Sequence, residues 1–360
     1  MGVSDWEDLP PESDRFEPAP HPRDTNSLFG HDKAERELLD AFRNGRMPQA
    51  WIVGGPQGIG KATLAWRMAR FIAANPDPRL PAVQRAENLA VDPNNPAARR
   101  IAAMSFGDLA LLRREWNEKT KKHWTRITVD DVRAVLHLFE QSAGEGGWRM
   151  AIVDSADDLN VNSANALLKL IEEPPPRSLF FLVAHHPGRI LPTIRSRCRL
   201  LALEQLDEPA LRSAVGAALD AAGEAVAEAD LARACARAEG SAREALRLIL
   251  AGESPVDGMT RKILARLPDV DWLLAQRIGE AIAAREAASE FDAFLRALYG
   301  WLSDNLHKNK GLGPRAVAPY ADAWEFLERE ARELEIYNLD KRAFVVVVFS
   351  RLAEAARAAA

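Results

Sequence analysis

Apolar residues in the first half of the chain form short runs that alternate with segments of helical spacing. The run AWIV at 50–53 ends at glycines, and WRMAIV at 148–153 leads into acidic residues. Helical spacing of apolar positions occupies residues 27–49, 128–143 and 162–176. Since strands that alternate with helices build parallel sheets covered on both faces, the pattern predicts an α/β domain with a mainly parallel sheet.

The second half of the chain shows helical spacing and few strand signals. We expect a small alanine-rich helical domain over 206–254 and a second helical domain over 255–360. The run VVVV at 345–348 favours a strand locally, but its helical flanks predict a buried helix. Residues 1–24 mix acids and prolines without periodicity, so we expect a disordered tail there and the α/β domain over 25–205.

Composition limits the kinds of protein this chain can be. A net charge of -5 over 360 residues argues against a surface that binds nucleic acid everywhere. A local contact stays open at RREWNEKTKKHWTR, residues 113–126, where Trp116 and Trp124 could stack on bases; the alternative is a solvated insertion. With only Cys198 and Cys235, the chain has no disulfide framework, which favours the cytoplasm. The longest apolar runs are too short for a membrane span.

The segment GPQGIGKAT, residues 55–63, matches the phosphate-loop pattern G-x-x-x-x-G-K-[ST] except at one position. The expected phosphate cradle consists of Gly55, Gly58, Gly60 and Lys61, because backbone N–H groups and a lysine bind phosphate oxygens. Ala62 stands where a hydroxyl should bind Mg²⁺, and Thr63 is one position further round the helix. The alternative is a glycine turn kept for packing.

The acidic motif that should complete a working ATPase is also altered. In AIVDSADD, Asp154 ends a strand, but Ser155 follows where a glutamate usually activates the attacking water. We interpret Asp157 and Asp158 as caps of the next helix. Two losses in separate motifs indicate that the chain does not hydrolyse ATP by itself.

The segment TIRSRC, residues 193–198, could assist ATP hydrolysis at a neighbouring subunit. An arginine on a loop after a strand can reach the terminal phosphate bound by a neighbouring subunit, as arginine fingers do. The alternative from spacing alone is a solvated surface. Cys198 is interpreted as a small packed residue rather than a nucleophile.

Together, GPQGIGKATLA, IVDSADDLNVNSANALLKLIEEPP and LPTIRSRCR resemble the delta prime family of bacterial DNA polymerase III clamp-loader subunits, in the AAA+ superfamily. The resemblance covers about residues 25–250. It implies a RecA-like nucleotide-binding domain, a helical lid and a C-terminal helical collar that joins a ring of subunits. It also implies a member that hydrolyses ATP poorly or not at all.

Site residues and partners follow from that resemblance. Ser196, Arg197 and Cys198 match the family's finger motif, with Arg197 reaching ATP in trans, and Arg243 lies where related lids carry a sensor arginine. The expected partners are the gamma or tau and delta subunits, the sliding clamp and, through the assembled complex, primer-template DNA. No cofactor is required, ATP binding is weak, and no zinc is expected because residues 74–125 contain no cysteine.

Two other functions stay open from the sequence. One is an autonomous phosphate-loop ATPase, which Ala62 and Ser155 argue against. The other is a DNA-binding helical regulator, suggested by the helical character of residues 207–360. The acidic net charge and the lack of a clear recognition helix argue against the regulator.

Overall fold

The computed structural model describes residues 10–140, 147–252, 254–284, 287–309, 311, 313–337 and 339–359. The chain forms two compact units, one within residues 1–250 and the other within 251–360. Each unit has its own hydrophobic core.

The strands of the first unit form a parallel sheet and a small hairpin. They are β1 (Ala50–Gly54), β2 (Leu109–Leu112), β3 (Trp116–Asn117), β4 (Lys122–His123), β5 (Arg149–Asp154), β6 (Ser178–Ala184) and β7 (Arg199–Ala202). The sheet has the order β2–β5–β6–β1–β7, and every neighbouring pair in it is parallel. Strands β3 and β4 pair with each other in antiparallel orientation. The predicted α/β class with a parallel sheet is confirmed.

Strand β6 shows why this sheet needs cover on both faces. All seven of its residues are buried. Leu179, Phe181 and Val183 belong to the core on one face. Phe180 and Leu182, which alternate with them, belong to the core on the other face. A strand buried on both sides is a continuous apolar run in the sequence, as SLFFLVA is.

Helices cover the sheet and continue beyond it. Those interleaved with the strands are α1 (Asp32–Arg43), α2 (Lys61–Ala74), α3 (Pro81–Arg85), α4 (Pro96–Ala102), α5 (Val129–Glu140), α6 (Val161–Glu172) and α7 (Pro192–Arg195). The chain then forms α8 (Glu208–Ala222), α9 (Glu228–Arg237) and α10 (Ala242–Leu250), which share a core of their own. These three helices belong to the same compact unit as the sheet. The division into a lid over 206–254 and a collar over 255–360 stays a prediction.

Residues 10–24 differ from the expected disordered tail; residues 1–9 lie outside the described part of the chain. His21 is fully buried, and its Nε2 lies 3.0 Å from Oδ2 of Asp14. Arg23 donates to Glu12 at 2.6 Å, and Arg113 donates to Asp14 at 2.6 Å. The acidic residues that suggested a solvated tail are paired with cations of the folded unit, so the segment forms ordered turns.

The second unit is helical. It contains α11 (Pro255–Leu264), α12 (Trp272–Ala283), α13 (Ala288–Asn309), α14 (Pro314–Tyr337) and α15 (Lys341–Ala359). In α15, Val345 and Val348 are buried, whereas Val346 and Val347 are 47% and 45% exposed. This spacing is helical, so the predicted helix over the valine run is confirmed.

The valine run allows a sharp test of this packing. Val345→Asp places a carboxylate in the core of the second unit and should destabilise that unit by at least about 3 kcal/mol. Val346→Asp and Val347→Asp, on the exposed face, should each change its stability by less than about 1 kcal/mol. Urea unfolding followed by circular dichroism measures all three. Equal effects at 345 and 347 would indicate the alternating pattern of a strand and contradict the helix.

Candidate nucleotide-phosphate site

The phosphate-loop motif lies between β1 and α2, at the carboxyl edge of the sheet. Gly55 and Gly58 both have positive φ, at 146° and 77°. A Cβ atom on Gly55 would collide with the carbonyl oxygen of Leu203. A Cβ atom on Gly58 would lie 2.5 Å from Cβ of Arg243. Backbone conformation and space both require glycine here, so the loop has the strand–loop–helix context that the motif predicts.

Lys61 begins α2 and points back into its own loop. Its Nζ donates to the carbonyl oxygen of Gly55 at 2.7 Å and also to that of Pro56. Burial lowers the pKa of Lys61 to about 8, although the carboxylates of Asp154 and Asp157 oppose the shift. Since an ammonium group has three N–H donors, two contacts to the loop leave one for a phosphate oxygen.

The residues after Lys61 do not fit a magnesium ion. Ala62 offers no oxygen, and its side chain packs against the core on one face of the sheet. Thr63 lines the cavity beside the loop, one helical position, or about 100°, beyond the place where the hydroxyl is needed. Gly60, whose φ is 105°, precedes Lys61 and completes the predicted set of loop residues. The cradle fits an anion, whereas the metal ligand is missing.

Asp154 ends β5 and faces an unexpected second carboxylate. Burial raises the pKa of Asp154 to about 7, the charge of Asp14 raises it further, and Lys61 acts in the opposite direction. The side chain of Asp14 is 2% exposed and comes from the N-terminal segment. Ser155, which follows Asp154, has no carboxylate and cannot act as the base that a glutamate supplies at this position.

The interpretation of Asp157 and Asp158 as helix caps is wrong. Asp157 accepts hydrogen bonds from the backbone N–H groups of His185 and His186, at 2.6 and 2.8 Å. Asp158 forms an ion pair with Arg114 at 3.1 Å. Helix α6 is capped instead by Asn160, whose side chain accepts from the N–H of Ser163. The reason is geometric, since residues 156–158 form a 3-10 turn of their own before α6 begins.

Residues at the start of helix α10 contact the phosphate loop. The Oγ of Ser241 donates to the carbonyl oxygen of Gln57 at 2.9 Å, and the backbone N–H of Arg243 donates to Gly58 at 3.3 Å. The guanidinium carbon of Arg243 lies 5.2 Å from the centre of the Phe16 ring. Arg243 is therefore held over the phosphate loop, where the resemblance places a sensor arginine.

These elements enclose a cavity of about 630 Å³. Its polar lining includes Lys61, Asp154 and His185, and burial lowers the pKa of His185 to about 3, so that the imidazole is neutral. Phe16 and Leu28 lie among its apolar lining. A cavity lined by an anion cradle together with apolar side chains has the character of a nucleotide site.

Several lining residues escaped the sequence analysis, among them Asp14, Phe16 and His185. Asp14 and Phe16 lie in a segment whose composition suggested disorder, so no sequence signal pointed to them. His185 directly follows the buried run of β6. A polar residue at the carboxyl end of a parallel strand is a signal that could have identified it.

The predicted finger residues lie outside this cavity's described lining. Arg197 is 42% exposed and pairs with Glu172 at 2.8 Å. It also donates to the carbonyl oxygen of Thr193 at 2.9 Å and to Oγ of Ser196 at 3.3 Å. The geometry thus joins Ser196 and Arg197 to each other and separates them from the loop around Lys61.

Cys198 is half-buried beside the finger residues. Burial raises the pKa of its thiol to about 12, so the thiol stays protonated at neutral pH and is not a nucleophile. Within the described residues, no cluster of three histidine, cysteine, aspartate or glutamate side chains is placed to hold a metal ion. Among the same residues, no helix has both the length and the apolar character to cross a membrane.

The chain is similar in sequence to known DNA polymerase III subunits. Residues 30–207 match the model of the family described as DNA polymerase III, delta subunit. DNA polymerase III subunit delta prime of Pseudomonas aeruginosa is 36% identical over 149 residues, which are 41% of each chain. Subunit gamma/tau of Mycobacterium tuberculosis is 26% identical over 277 residues, covering 76% of this chain and 45% of that protein.

The chain thus matches less than half the length of these curated relatives. Among solved structures, a gamma subunit-related protein of Thermotoga maritima has 16% identity and a TM-score of 0.38, and the match covers 89% of this chain and 100% of that one. Over residues 30–207 the chain is thus similar to the DNA polymerase III delta family, and parts of the chain are similar to curated delta prime subunits.

Proposed function

We propose that this chain is a clamp-loader subunit of a bacterial DNA polymerase III assembly that does not hydrolyse ATP alone and supplies Arg197 to ATP held by a neighbouring subunit. One observation carries the proposal: the phosphate loop lacks a metal ligand at Ala62, while an exposed arginine lies outside the cavity of that loop. The names of the relatives, subunit delta prime and subunit gamma/tau, support membership in such an assembly.

The contacts of Arg197 suit a group that moves to a phosphate. Its partner Glu172 is 39% exposed, and ion pairs between exposed groups contribute only about 0–1 kcal/mol. The terminal phosphate of a neighbour's ATP, which can form bidentate contacts with a guanidinium, can replace that carboxylate. In the transition state, Arg197 would then stabilise the charge on the transferred phosphoryl group.

The chain's own loop would keep a lesser role. Lys61, the loop N–H groups and Arg243 would bind nucleotide phosphates weakly, without a magnesium ion. The neighbours would be the gamma or tau and delta subunits. The sliding clamp and primer-template DNA would be reached through the assembled complex. The proposed function requires no zinc ion.

ATP turnover tests the proposed division of roles. The purified chain alone should show no magnesium-dependent hydrolysis. Mixed with the gamma or tau and delta subunits, wild type should support turnover. Arg197→Ala should lower turnover at the neighbouring ATP site that Arg197 reaches by at least about tenfold, because an arginine finger contributes roughly 10³-fold or more in related phosphoryl transfers. Size-exclusion chromatography should show that assembly is unchanged.

Two variants control for the surface around the finger. Arg195→Ala removes an exposed arginine two positions away and should leave turnover unchanged. Glu172→Gln removes only the exposed ion pair and should change turnover by less than about fivefold. Normal turnover with Arg197→Ala would contradict the finger, and hydrolysis by the chain alone that Lys61→Ala abolishes would identify an autonomous ATPase.

The pH dependence of nucleotide binding tests the loop. Asp154, with a pKa of about 7, gains negative charge as pH rises through that value, and Lys61, with a pKa of about 8, then loses its positive charge. Both changes weaken the binding of an anion. We therefore expect the Kd for ATP, measured without Mg²⁺ by calorimetry, to rise between pH 6 and 9.

Matched variants separate the two groups from the titration of ATP itself. Asp154→Asn should remove the lower part of the pH dependence, and Lys61→Met should remove the upper part while weakening binding at pH 6. A pH profile identical in wild type and both variants would show that neither group lies at the phosphates.

A further inference from the structure

The hairpin of β3 and β4 is a basic, aromatic projection with no part in the phosphate site described above. Lys119 and Lys121 lie in its turn, Lys122 begins β4, and all three are exposed. Trp124 follows β4 and is 51% exposed. The antiparallel pairing of Trp116 with His123 defines the hairpin and places these groups in one short exposed segment.

Both ends of this segment are fastened to the acidic turn at residues 156–158. On the entering side, Arg114 forms an ion pair with Asp158 at 3.1 Å. On the leaving side, Arg126 donates to the carbonyl oxygen of Asp157 at 3.1 Å, and the N–H of Ile127 donates to Asp158 at 2.9 Å. The hairpin therefore stands on the turn that follows Asp154, so its tip has a fixed base.

At the base of the hairpin, Arg113 pairs with carboxylates of the N-terminal segment, whereas, among the described residues, the lysines near the turn form no ion pair outside the hairpin. Arg113 contacts Glu12 and Asp14, at 2.8 and 2.6 Å. At the tip, Lys121 pairs with Glu118 at 2.7 Å, in a contact that is exposed on both sides. In the part of the chain that the structure describes, no carboxylate forms an ion pair with Lys119 or Lys122.

The two aromatic groups beside the turn differ in their surroundings. Trp116 is half-buried and stacks edge-on with His123 at 5.0 Å, which supports the hairpin itself. Burial lowers the pKa of His123, and the nearby Arg114 lowers it too, so its ring adds no positive charge at neutral pH. Trp124 leaves half of its surface to solvent.

We propose that this hairpin binds single-stranded nucleic acid, with Lys119, Lys121 and Lys122 on the phosphates and Trp124 stacked on a base. Lysines on a projecting turn are mobile point charges that suit a phosphate backbone, and an exposed indole suits the face of any base. The net charge of -5 makes diffuse attraction to a polyanion weak, so binding depends on this local patch. The assignment is independent of the finger role of Arg197.

The salt dependence of binding tests the lysines. A fluorescein-labelled oligothymidine of about 20 nucleotides is titrated with the full chain between 50 and 200 mM salt, and anisotropy gives the Kd. The triple variant Lys119→Gln, Lys121→Gln, Lys122→Gln should lower the slope of log K against log salt by about 2, since each phosphate contact on a single strand contributes about 0.7. Lys33→Gln, Lys169→Gln, Lys262→Gln is the matched control, which removes the same charge from exposed positions and should keep the slope.

A second pair of variants tests the stacking. Trp124→Leu should weaken binding to the oligothymidine by at least about fivefold and leave binding to an abasic strand of equal length unchanged. Trp272→Leu, at a tryptophan that is 48% exposed in the second unit, should change neither. Equal slopes for the two lysine triples would overturn the proposal. Competition by polyglutamate as effective as that by the oligonucleotide would overturn it too, in favour of an acidic protein partner.

Discussion

The three central strands of the sheet, β1, β5 and β6, are buried on both faces, and this constraint determines where the chain's polar chemistry lies. Residues 179–184 of strand β6 all belong to one core or the other, and its buried polar residue, Ser178, lies at the first position, so the rest of the strand holds no polar side chain. The register pairs Gly54 with Ala184 and Asp154 with Val183, so β1, β5 and β6 end at one edge. The phosphate loop, the acidic turn and His185 meet there because the strands that precede them pack as one layer.

Charges at this edge are balanced by the chain itself. The ammonium of Lys61 is held by carbonyl oxygens of its loop, Asp158 by Arg114, and Asp14 by Arg113. Aspartates of a working ATPase motif neutralise a metal ion, whereas here protein cations and burial take that part. The same internal pairs anchor the N-terminal segment and the base of the hairpin, so this edge of the sheet is ordered by the chain's own residues.

Local patterns predicted the elements of this structure well and the contacts between distant segments poorly. The phosphate loop was predictable because glycines, a lysine and a preceding apolar run act within 15 residues of one another, and the valine run of α15 because its flanks fix the helical period. The burial of His21 and Asp14 was not predictable from local sequence, because Asp14 pairs with Arg113, about 100 residues later. Asp157 was misread for the same reason, since its partners are backbone groups after β6.

The central claim is that the loop has kept its anion cradle and lost its metal ligand. The most direct test is the affinity of the purified chain for ATP with Mg²⁺ and with EDTA, in wild type and in Ala62→Thr, which restores the hydroxyl after Lys61. The account predicts that Mg²⁺ does not tighten binding to wild type and does tighten binding to Ala62→Thr. Tightening by tenfold or more in wild type, with no further gain in Ala62→Thr, would show that another group holds the metal and would contradict the account.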